Sequence, residues 1–400
     1  MKYDAKSFYA YVRSRSKSRA GIGVLARDDG GRVESPEEVA EEFNEYFSSV
    51  FSLEDMKSLP EGGNGGVGDS LLEMRVSREK VRGLLGKLRA DKAPGVDELS
   101  SRLLLHFPDE ILAPVCMLFE KSLREGRVPE DWRRANVVPI YKSGDRGKAK
   151  NYRPVSLTCQ LCKVFERLVR DELVEHLESK GLLRDTQHGF RRGRSCLTNL
   201  LTFLDRVTEE LDKGGSVDVI YLDFAKAFDK VPHHRLLRKL EGYGVSGSVL
   251  AWIKGWLLNR WQRVGVRGHW SGWRRVLSGI PQGSVLGPVL FLVFIDDLEV
   301  GLMSEVLKFA DDTKVFGRVD SESDREGLQR DLDRLVQWSE KWQMKFNVEK
   351  CKVMHLGRRN LGGEYVMNGG ALGTVEERDL GVRITNDLKA SAVCLCVCQG

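Results

Sequence analysis

A chain of 400 residues is longer than one average domain, so two or three packed units are expected. The apolar share of 41% supports a folded core, and the net charge of +5 permits a polyanionic partner without requiring one. Eight cysteines in a chain of this length do not indicate a disulfide scaffold. The longest apolar run, 285–295, is too short to cross a bilayer, and the basic N-terminus lacks a signal-peptide core. We therefore expect an intracellular protein, nuclear or cytoplasmic, that is neither secreted nor embedded in a membrane.

The first helix that the sequence predicts begins at Ser35. Ser35 suits the N-cap position, Pro36 suits the first helical turn, and Glu38 closes a capping box. The apolar residues that then share one helical face are Val39, Phe43, Tyr46, Phe47 and Val50. The Gly-rich residues 61–68 are typical of a flexible linker and give the clearest boundary in the chain.

From residue 77 onward the pattern is that of a folded domain. A helix is predicted that ends at Ala93-Pro94-Gly95 and carries on one face Val81, Leu84, Leu85 and Leu88. The elements predicted next are helical stretches at about 100–125, a strand at 135–141, a loop rich in Lys, Arg and Gly at 142–150, an extended segment at 152–157 and a helix at about 160–178.

Two elements in the middle of the chain lead to a carboxylate. A helix is predicted from Ser195 to Asp212, with an apolar face of Leu197, Leu200, Leu201, Leu204 and Val207. The following run, 217–222, becomes continuously apolar, which is typical of a central strand covered on both faces. This strand ends directly in Asp223.

Residues 305–319 predict a β-hairpin. The first strand ends at Phe309, Ala310-Asp311-Asp312 forms the turn, and the second strand follows it. An amphipathic helix is predicted next, with an apolar face of Leu328, Leu332, Leu335, Val336 and Trp342.

Asp223, Asp311 and Asp312 are the candidate metal ligands. Two-metal sites for phosphoryl transfer hold Mg²⁺ ions about 4 Å apart between carboxylates from different elements. One carboxylate after a buried strand and two at a hairpin tip supply such a set. Each of these aspartates alone is more often an ordinary turn residue. The strands on both sides of the Asp-Asp pair favour the functional interpretation.

Loops supply further candidate binding residues. Gln282 and Gly283 lie in the Gly- and Pro-rich segment 278–288, where a substrate can approach the backbone closely; a structural turn is the alternative. Lys142 and Arg153 flank the basic loop and suit a triphosphate. A second basic cluster suits a nucleic-acid backbone and consists of Arg191, Arg192 and Arg194. Basic surface loops are, however, more often simply solvated.

Three segments carry a resemblance to a known family. They are Tyr221-Leu222-Asp223-Phe224-Ala225-Lys226-Ala227-Phe228-Asp229, Gly279-Ile280-Pro281-Gln282-Gly283-Ser284-Val285-Leu286-Gly287-Pro288 and Phe309-Ala310-Asp311-Asp312. Further matches in the same order are segments 92–97, 151–157, 187–195, 344–354 and 379–382. Over roughly residues 80–386, the ordered set resembles reverse transcriptases of LINE-type, jockey-like non-LTR retrotransposons. Many members have Tyr where this chain has Phe309.

The resemblance implies an α+β fold, a right-hand polymerase whose palm is an antiparallel sheet backed by helices. It implies an RNA-directed DNA polymerase that transfers nucleotides from a dNTP to a primer 3′-hydroxyl, with an RNA template, a DNA primer and two Mg²⁺ ions. Asp223 and Asp311 would ligate both ions, with Asp312 supporting them. Lys350 would protonate the leaving pyrophosphate, and Leu380-Gly381 would lie at the primer grip.

The same resemblance implies roles in substrate binding. Phe228 would lie under the incoming sugar and exclude a 2′-hydroxyl, so deoxynucleotides would be preferred. Gln282 and Gly283 would line the nucleotide pocket. Lys142 and Arg153 would hold the triphosphate from the fingers.

The resemblance also divides the chain. The expected parts are a helical N-terminal extension at 1–60, a flexible linker at 61–76, the start of the fingers at 77–122, the reverse transcriptase domain of fingers and palm at 123–386 and an atypical Cys-rich tail at 387–400. Family members continue into a helical thumb and usually carry an endonuclease before the polymerase. We therefore expect a truncated thumb and no cleavage of target DNA.

Two alternatives remain open. An RNA-templated RNA polymerase would share the carboxylates and would use Asp229 to recognise ribose, but Phe228 argues against it. A catalytically incompetent remnant of a mobile element would at most bind nucleic acid. The complete set of aspartates weighs against that second alternative.

Overall fold

The computed structural model describes residues 22–27, 30–61, 70–374 and 377–384. The helices are α1 (Pro36–Ser49), α2 (Arg78–Gly86), α3 (Ser101–His106), α4 (Pro108–Glu125), α5 (Glu130–Arg133), α6 (Gln160–Ser179), α7 (Cys196–Asp212), α8 (Ala227–Lys230), α9 (His233–Gly242), α10 (Gly247–Leu257), α11 (Gly287–Ile295) and α12 (Glu322–Trp342). The strands are β1 (Leu25–Ala26), β2 (Arg32–Val33), β3 (Arg134–Tyr141), β4 (Tyr152–Leu157), β5 (Val217–Leu222), β6 (Arg260–Val266), β7 (His269–Trp270), β8 (Arg274–Val276), β9 (Glu305–Phe309), β10 (Asp312–Arg318), β11 (Lys352–Leu356), β12 (Val366–Met367), β13 (Gly370–Ala371), β14 (Gly373–Thr374), β15 (Glu377–Asp379) and β16 (Val382–Ile384). The predicted tail, 387–400, and residues 62–69 of the predicted linker lie outside the described residues.

The central sheet has the strand order β14-β11-β5-β10-β9. Its middle strand β5 is antiparallel to both β10 and β11, and it is buried over most of its length, as its apolar sequence predicts. The register pairs Leu222 with Thr313. Because Asp223 follows Leu222 and Asp312 precedes Thr313, this register brings the two carboxylates to the same end of the sheet.

Helices cover the central sheet and form the largest hydrophobic core. Aromatic rings fill this core: Phe119 of α4 stacks on Phe165 of α6 with centroids 4.5 Å apart, and Trp252 of α10 meets Phe165 edge-on at 4.8 Å. The very apolar α11 contributes Phe291 and Phe294 to the same core. Within the described ranges, no helix combines the length and apolar character needed to span a bilayer.

A second sheet has the order β4-β3-β6-β7, and β8 also pairs with β6. The β3–β4 hairpin is antiparallel, whereas β3 and β6 are parallel. Helix α1 packs on this sheet, where Phe43 meets Tyr152 edge-on with centroids 4.9 Å apart. The predicted N-cap is confirmed, since the Ser35 hydroxyl accepts a bond from the Glu38 N–H at 3.3 Å. Helix α1 therefore shares a core with the second sheet.

Residues 52–58, which follow α1, form a strap across α9. The Glu54 carboxylate accepts bonds from the backbone N–H groups of His234 at 2.9 Å and Arg235 at 2.8 Å. The guanidinium of Arg235, which is 1% exposed, donates to the carbonyls of Asp55 and Ser58 at 3.0 Å each. A buried arginine needs such partners, so the strap and α9 stabilise one another.

Two predictions about helices were wrong in detail. The helix after residue 77 ends at Gly86 instead of at residues 93–95, because the backbone from Lys87 onward forms turns with single short-range bonds. On α7, Leu197 and Leu201 are 63% and 56% exposed, although they were assigned to the apolar face. The sheet covers only the side of α7 that carries the other apolar residues, such as Phe203.

Candidate active site

Three carboxylates lie at one end of the central sheet. Asp223 follows β5, Asp311 lies in the turn between β9 and β10, and Asp312 opens β10. Lys350, which precedes β11, places its Nζ 3.6 Å from Oδ2 of Asp223. Asp223, Asp312 and Lys350 line one cavity of about 120 Å³. We call residues 309–312 the aspartate turn.

Burial and neighbouring negative charge raise the pKa values of Asp311 and Asp312. Burial, together with the charges of Asp311 and Asp223, raises the pKa of the Asp312 carboxyl to about 6. Burial and the charge of Asp223 also raise the pKa of Asp311, which Lys142 and Arg153 oppose. Carboxylates held in mutual repulsion favour a bound cation, so this end of the sheet has the electrostatics of a cation site.

Carboxylate oxygens are the ligands that Mg²⁺ prefers, and the ion usually takes only one or two of them. Water and substrate phosphates complete its octahedron. Among the described residues, no group of three or more His, Cys, Asp and Glu side chains stands close enough to hold a metal alone. Asp223, Asp311 and Asp312 therefore fit an ion that is bound partly through its substrate, not one held in a cage of protein groups.

Gln187 holds the aspartate turn by its backbone. Ala310 has a φ of +55°, a left-handed conformation that is uncommon for residues other than glycine. The Gln187 Oε1 accepts bonds from the Ala310 N–H at 3.0 Å and from the Gly189 N–H at 2.7 Å. Its Nε2 donates to the Ala310 carbonyl at 3.4 Å. The buried Gln187 side chain thus supplies the partners that this turn lacks.

The segment that carries Gln187 runs beside β9 like an added strand. The His188 N–H donates to the Lys308 carbonyl at 2.8 Å, and the Lys308 N–H donates to the Thr186 carbonyl at 2.9 Å. At Gly189 a Cβ atom would lie only 2.3 Å from the Ala310 nitrogen. Only glycine permits this approach, and Asp311 is therefore backed by rigid, closely packed backbone.

Phe228, five residues after Asp223, is fixed by contacts on its ring and on its backbone. The ring stacks on Phe291 with centroids 4.4 Å apart, and the Phe228 carbonyl accepts a bond from the Ile280 N–H at 2.7 Å. At Gly279 a Cβ would meet the Asp229 carbonyl oxygen at 2.5 Å. The Gly- and Pro-rich loop is thus packed tightly against the segment that follows Asp223.

Gln282 and Gly283 join this loop to β4. The Gln282 Nε2 donates to Oδ1 of Asp229 at 2.8 Å, and its carbonyl accepts a bond from the Ser156 N–H at 2.8 Å. Burial raises the pKa of Asp229, and the bond from Gln282 opposes that rise. Gly283 has a φ of +104°, and a Cβ there would lie 2.9 Å from the Ser156 carbonyl oxygen. The Gln282 amide is therefore already oriented by a partner.

Glu166 anchors the end of the same loop, and motif-based reasoning did not find it. Its fully buried Oε2 accepts bonds from the backbone N–H groups of Val285 at 2.6 Å and Leu286 at 3.2 Å. These N–H groups lie at the start of α11, where a negative charge is stabilised by the helix dipole. The Trp256 Nε1 donates to Oε1 of Glu166 at 3.2 Å. A glutamate at this point of an amphipathic helix gives no local signal of such a role.

Cations face the carboxylates from the β3–β4 hairpin. Lys142 and Arg153 are both exposed at its loop end, and the Lys142 N–H donates to the Asn151 carbonyl at 2.8 Å. Burial lowers the pKa of Lys142, as do the charges of Arg153 and Lys350, while Asp223 opposes the change. The site therefore places clustered positive charge opposite clustered carboxylates.

Comparison with known proteins assigns the family. A family model described as "Reverse transcriptase (RNA-dependent DNA polymerase)" matches residues 140–382. The chain belongs to the reverse transcriptase family. The resemblance inferred from the ordered motifs is therefore confirmed.

Retrotransposon proteins are among the relatives of this reverse transcriptase chain. It is 32% identical to the "RNA-directed DNA polymerase from mobile element jockey" of Drosophila melanogaster, over 81% of this chain and 35% of that protein. It is 32% identical to the protein of the same name from Drosophila funebris, over 69% and 31%. It is 29% identical to the "Retrovirus-related Pol polyprotein from type-1 retrotransposable element R2" of Popillia japonica, over 48% and 28%. The chain spans about a third of the length of these relatives.

Two of the three arginines of the second basic cluster have internal partners in this reverse transcriptase. The Arg191 Nη1 donates to the Arg184 carbonyl at 2.8 Å, and the Arg194 Nη2 pairs with Asp185 at 3.0 Å. Arg192 is exposed and has no partner among the residues that the structure describes. The cluster thus divides into two loop-fixing arginines and one that projects into solvent.

A buried ion pair holds the β15–β16 hairpin of the reverse transcriptase chain beside the carboxylates. Asp379, at the end of β15, pairs with Lys314 of β10, and both are 5% exposed or less. Leu380, at a φ of +47°, lines the same cavity as Asp223. Lys314 follows the aspartate turn by two residues, so the pair joins this hairpin to the strand that carries the carboxylates.

Proposed function

We propose that this chain is the polymerase region of a non-LTR retrotransposon protein and acts as an RNA-directed DNA polymerase. The observation that carries the proposal is the register of β5 and β10, which puts Asp223 and Asp312 at one end of the sheet. The substrates would be a dNTP, an RNA template and a DNA primer. The names of the jockey and R2 relatives support this substrate class.

In this proposal the central sheet is the palm and the second sheet belongs to the fingers. The aspartate turn lies on an antiparallel pair of strands backed by helices, the arrangement expected of a palm. The β3–β4 hairpin projects its cations toward that sheet, as fingers would. Helix α1 belongs to the fingers by its packing on β3, β4 and β6.

Asp223 and Asp311 would hold two Mg²⁺ ions, with Asp312 in support. When bound, the metal lowers the pKa of the primer 3′-hydroxyl and neutralises the triphosphate. The protein's own part is to keep the carboxylates ionised and in place. The rigid backing by Gln187 and the cations Lys142 and Arg153, which oppose the rise in the pKa of Asp311, serve that part.

Lys142 and Arg153 would bind the triphosphate, because they are exposed and oppose the carboxylate charge. Lys350 would donate a proton from its Nζ to the leaving pyrophosphate oxygen. Its distance of 3.6 Å from Asp223 places it at the edge of the reaction centre. Its ammonium is more than half exposed and can reach a bound substrate.

Phe228 would exclude ribonucleotides by filling the space of a 2′-hydroxyl. Its stacking on Phe291 prevents the ring from moving aside. Gln282 and Gly283 would form the wall of the nucleotide pocket, with the Gln282 amide held by Asp229. This arrangement makes Asp229 a positioning residue and leaves Phe228 as the group that meets the sugar.

Primer extension on an RNA template with Mg²⁺ and dNTPs tests the proposal. Asp311→Asn removes one metal-ligating charge and should reduce extension about 1000-fold, with unchanged thermal unfolding. Asp333→Asn makes the same chemical change on the exposed face of α12 and should have no effect. Extension by Asp311→Asn near the parental rate would contradict the site.

The two alternatives predict other results in the same assay. Extension with rNTPs in preference to dNTPs would support an RNA polymerase. RNA binding by the parent chain without any Mg²⁺-dependent extension would support a remnant that has lost its activity.

A further inference from the structure

Phe190 has two features that do not favour folding. Its side chain is 56% exposed, so a large apolar ring faces water. Its φ is +54°, a left-handed conformation that is uncommon for an aromatic residue and is strained. Because neither feature stabilises the fold, we expect Phe190 to contribute to binding a ligand outside the chain.

The loop holds Phe190 firmly. On one side Gly189 packs against Ala310, with no room for a Cβ. On the other side the Arg191 Nη1 donates to the Arg184 carbonyl at 2.8 Å, and Arg194 pairs with Asp185 at 3.0 Å. The ring is therefore presented in a fixed place.

The surroundings of Phe190 are positively charged. Arg191, Arg192 and Arg194 lie within four residues of it, and in the part of the chain that the structure describes the carboxylate that pairs with this cluster is Asp185. The Arg192 side chain projects into solvent with no partner in the described part of the chain. An exposed ring beside an unpaired guanidinium matches a ligand with flat aromatic groups on a polyanionic backbone.

The position of the loop indicates which nucleic-acid strand would bind to it. Gly189 touches Ala310, and Ala310 is followed directly by Asp311. Phe190 follows Gly189 directly, so it lies one residue from a contact with the backbone that precedes Asp311. In the proposed function, the strand being copied approaches this centre. A protein partner would favour a broad apolar surface, whereas Phe190 is flanked by Arg191 and Arg192.

We propose that Phe190 and Arg192 form a binding site for single-stranded RNA template, in which one base stacks on the Phe190 ring and Arg192 binds the neighbouring phosphate. This inference rests on the proposed function, since the ligand is the strand that the polymerase copies. It assigns a role to an aromatic residue outside the carboxylate cluster and the nucleotide pocket.

Binding of a fluorescein-labelled, unstructured single-stranded RNA, measured by anisotropy without Mg²⁺ or dNTPs, tests the site. Phe190→Ala should weaken binding about tenfold, and Phe190→Trp should restore it, because stacking on a ring contributes most of the contact. Arg192→Gln should reduce the slope of log affinity against log salt by about 0.7, the value for one phosphate on a single strand.

Leu197→Ala is the matched control, because it also removes an exposed apolar side chain, 63% exposed, from the same region. It should leave binding unchanged. Parental affinity in Phe190→Ala would overturn the stacking site. An equal loss in Leu197→Ala would overturn it as well, because the loss would then not be specific to the Phe190 ring. Thermal unfolding of Phe190→Ala should match that of the parent. If it is lower, parental RNA affinity in Phe190→Trp together with a reduced salt slope in Arg192→Gln supports the site, and an unchanged slope overturns it.

The outcome is separable from that of the polymerase proposal. Loss of RNA affinity in Phe190→Ala, in a chain that never extends a primer, would retain this site and remove the proposed activity. Unchanged affinity of Phe190→Ala, in a chain that extends primers, would retain the activity and remove the site.

Discussion

Gly189 lies against the backbone of the aspartate turn, so Gly189→Ala should misplace the carboxylate that follows it. The added Cβ would lie 2.3 Å from the Ala310 nitrogen and 3.1 Å from Oε1 of Gln187. Ordinary contacts of a Cβ begin at 3.4 Å. The turn and the segment carrying Gln187 must therefore separate by about 1 Å, in a region too closely packed to absorb the change.

The magnitude follows from that displacement. A misplacement of about 1 Å in a reacting group costs about 100-fold in rate. The overpacking itself should lower the free energy of unfolding by about 1–3 kcal/mol. The backbone of Gly189 is not left-handed, so the variant tests steric contact and not the conformational freedom of glycine.

The assay is primer extension under steady-state conditions, with denaturant unfolding measured in parallel. The loss should appear in kcat, while KM for the dNTP should change little, because the nucleotide pocket is built from other segments. Gly317→Ala is the control. Gly317 lies on β10, the strand that Asp312 opens, and a Cβ there would meet only Ser304 atoms, at 3.7 Å or more. Parental kcat in Gly189→Ala would refute the argument that this contact positions Asp311.

Phe228→Ala should lower the preference for dNTPs over rNTPs at least about tenfold in competitive incorporation, and an unchanged ratio would exclude the ring as the gate. Lys314→Met leaves the Asp379 carboxylate buried without its partner and should lower the free energy of unfolding by about 3 kcal/mol. The double variant with Asp379→Leu should recover most of that loss in denaturant unfolding, whereas additive losses would contradict the coupling. Burial lowers the pKa of His233 from 6.5 to about 4, so unfolding takes up a proton below pH 6.5 and stability falls as pH decreases. Between pH 7 and pH 5 the parent should lose about 2 kcal/mol more than His233→Gln, and equal losses in both would count against a neutral buried ring.

Local sequence signals were sufficient for the elements that carry the aspartates. The apolar run at 217–222, the hairpin at 305–319 and the N-cap at Ser35 all follow from patterns a few residues long, and all three are confirmed. Their pairing also follows once the motifs are placed in family order. For this reason the aspartates could be assigned to one site before their register was known.

Contacts between distant segments could not be predicted in the same way. Gln187 and Ala310 are 123 residues apart, and Glu166 and Val285 are 119 apart. No periodicity links such partners, because each belongs to a segment whose local pattern is complete without the other. The same limitation explains Leu197, whose apolar character fits the helix but which the sheet does not reach.

Helix α1 and the strap determine how the polymerase can be cut from a longer polypeptide. The family match begins at residue 140, and the folded pattern in the sequence begins near residue 77. A fragment that starts at either point would uncover the apolar face of the β3–β4–β6 sheet, which Phe43 now covers. It would also leave the fully buried guanidinium of Arg235 without Glu54. A fragment that keeps both sets of contacts therefore has to start ahead of Ser35.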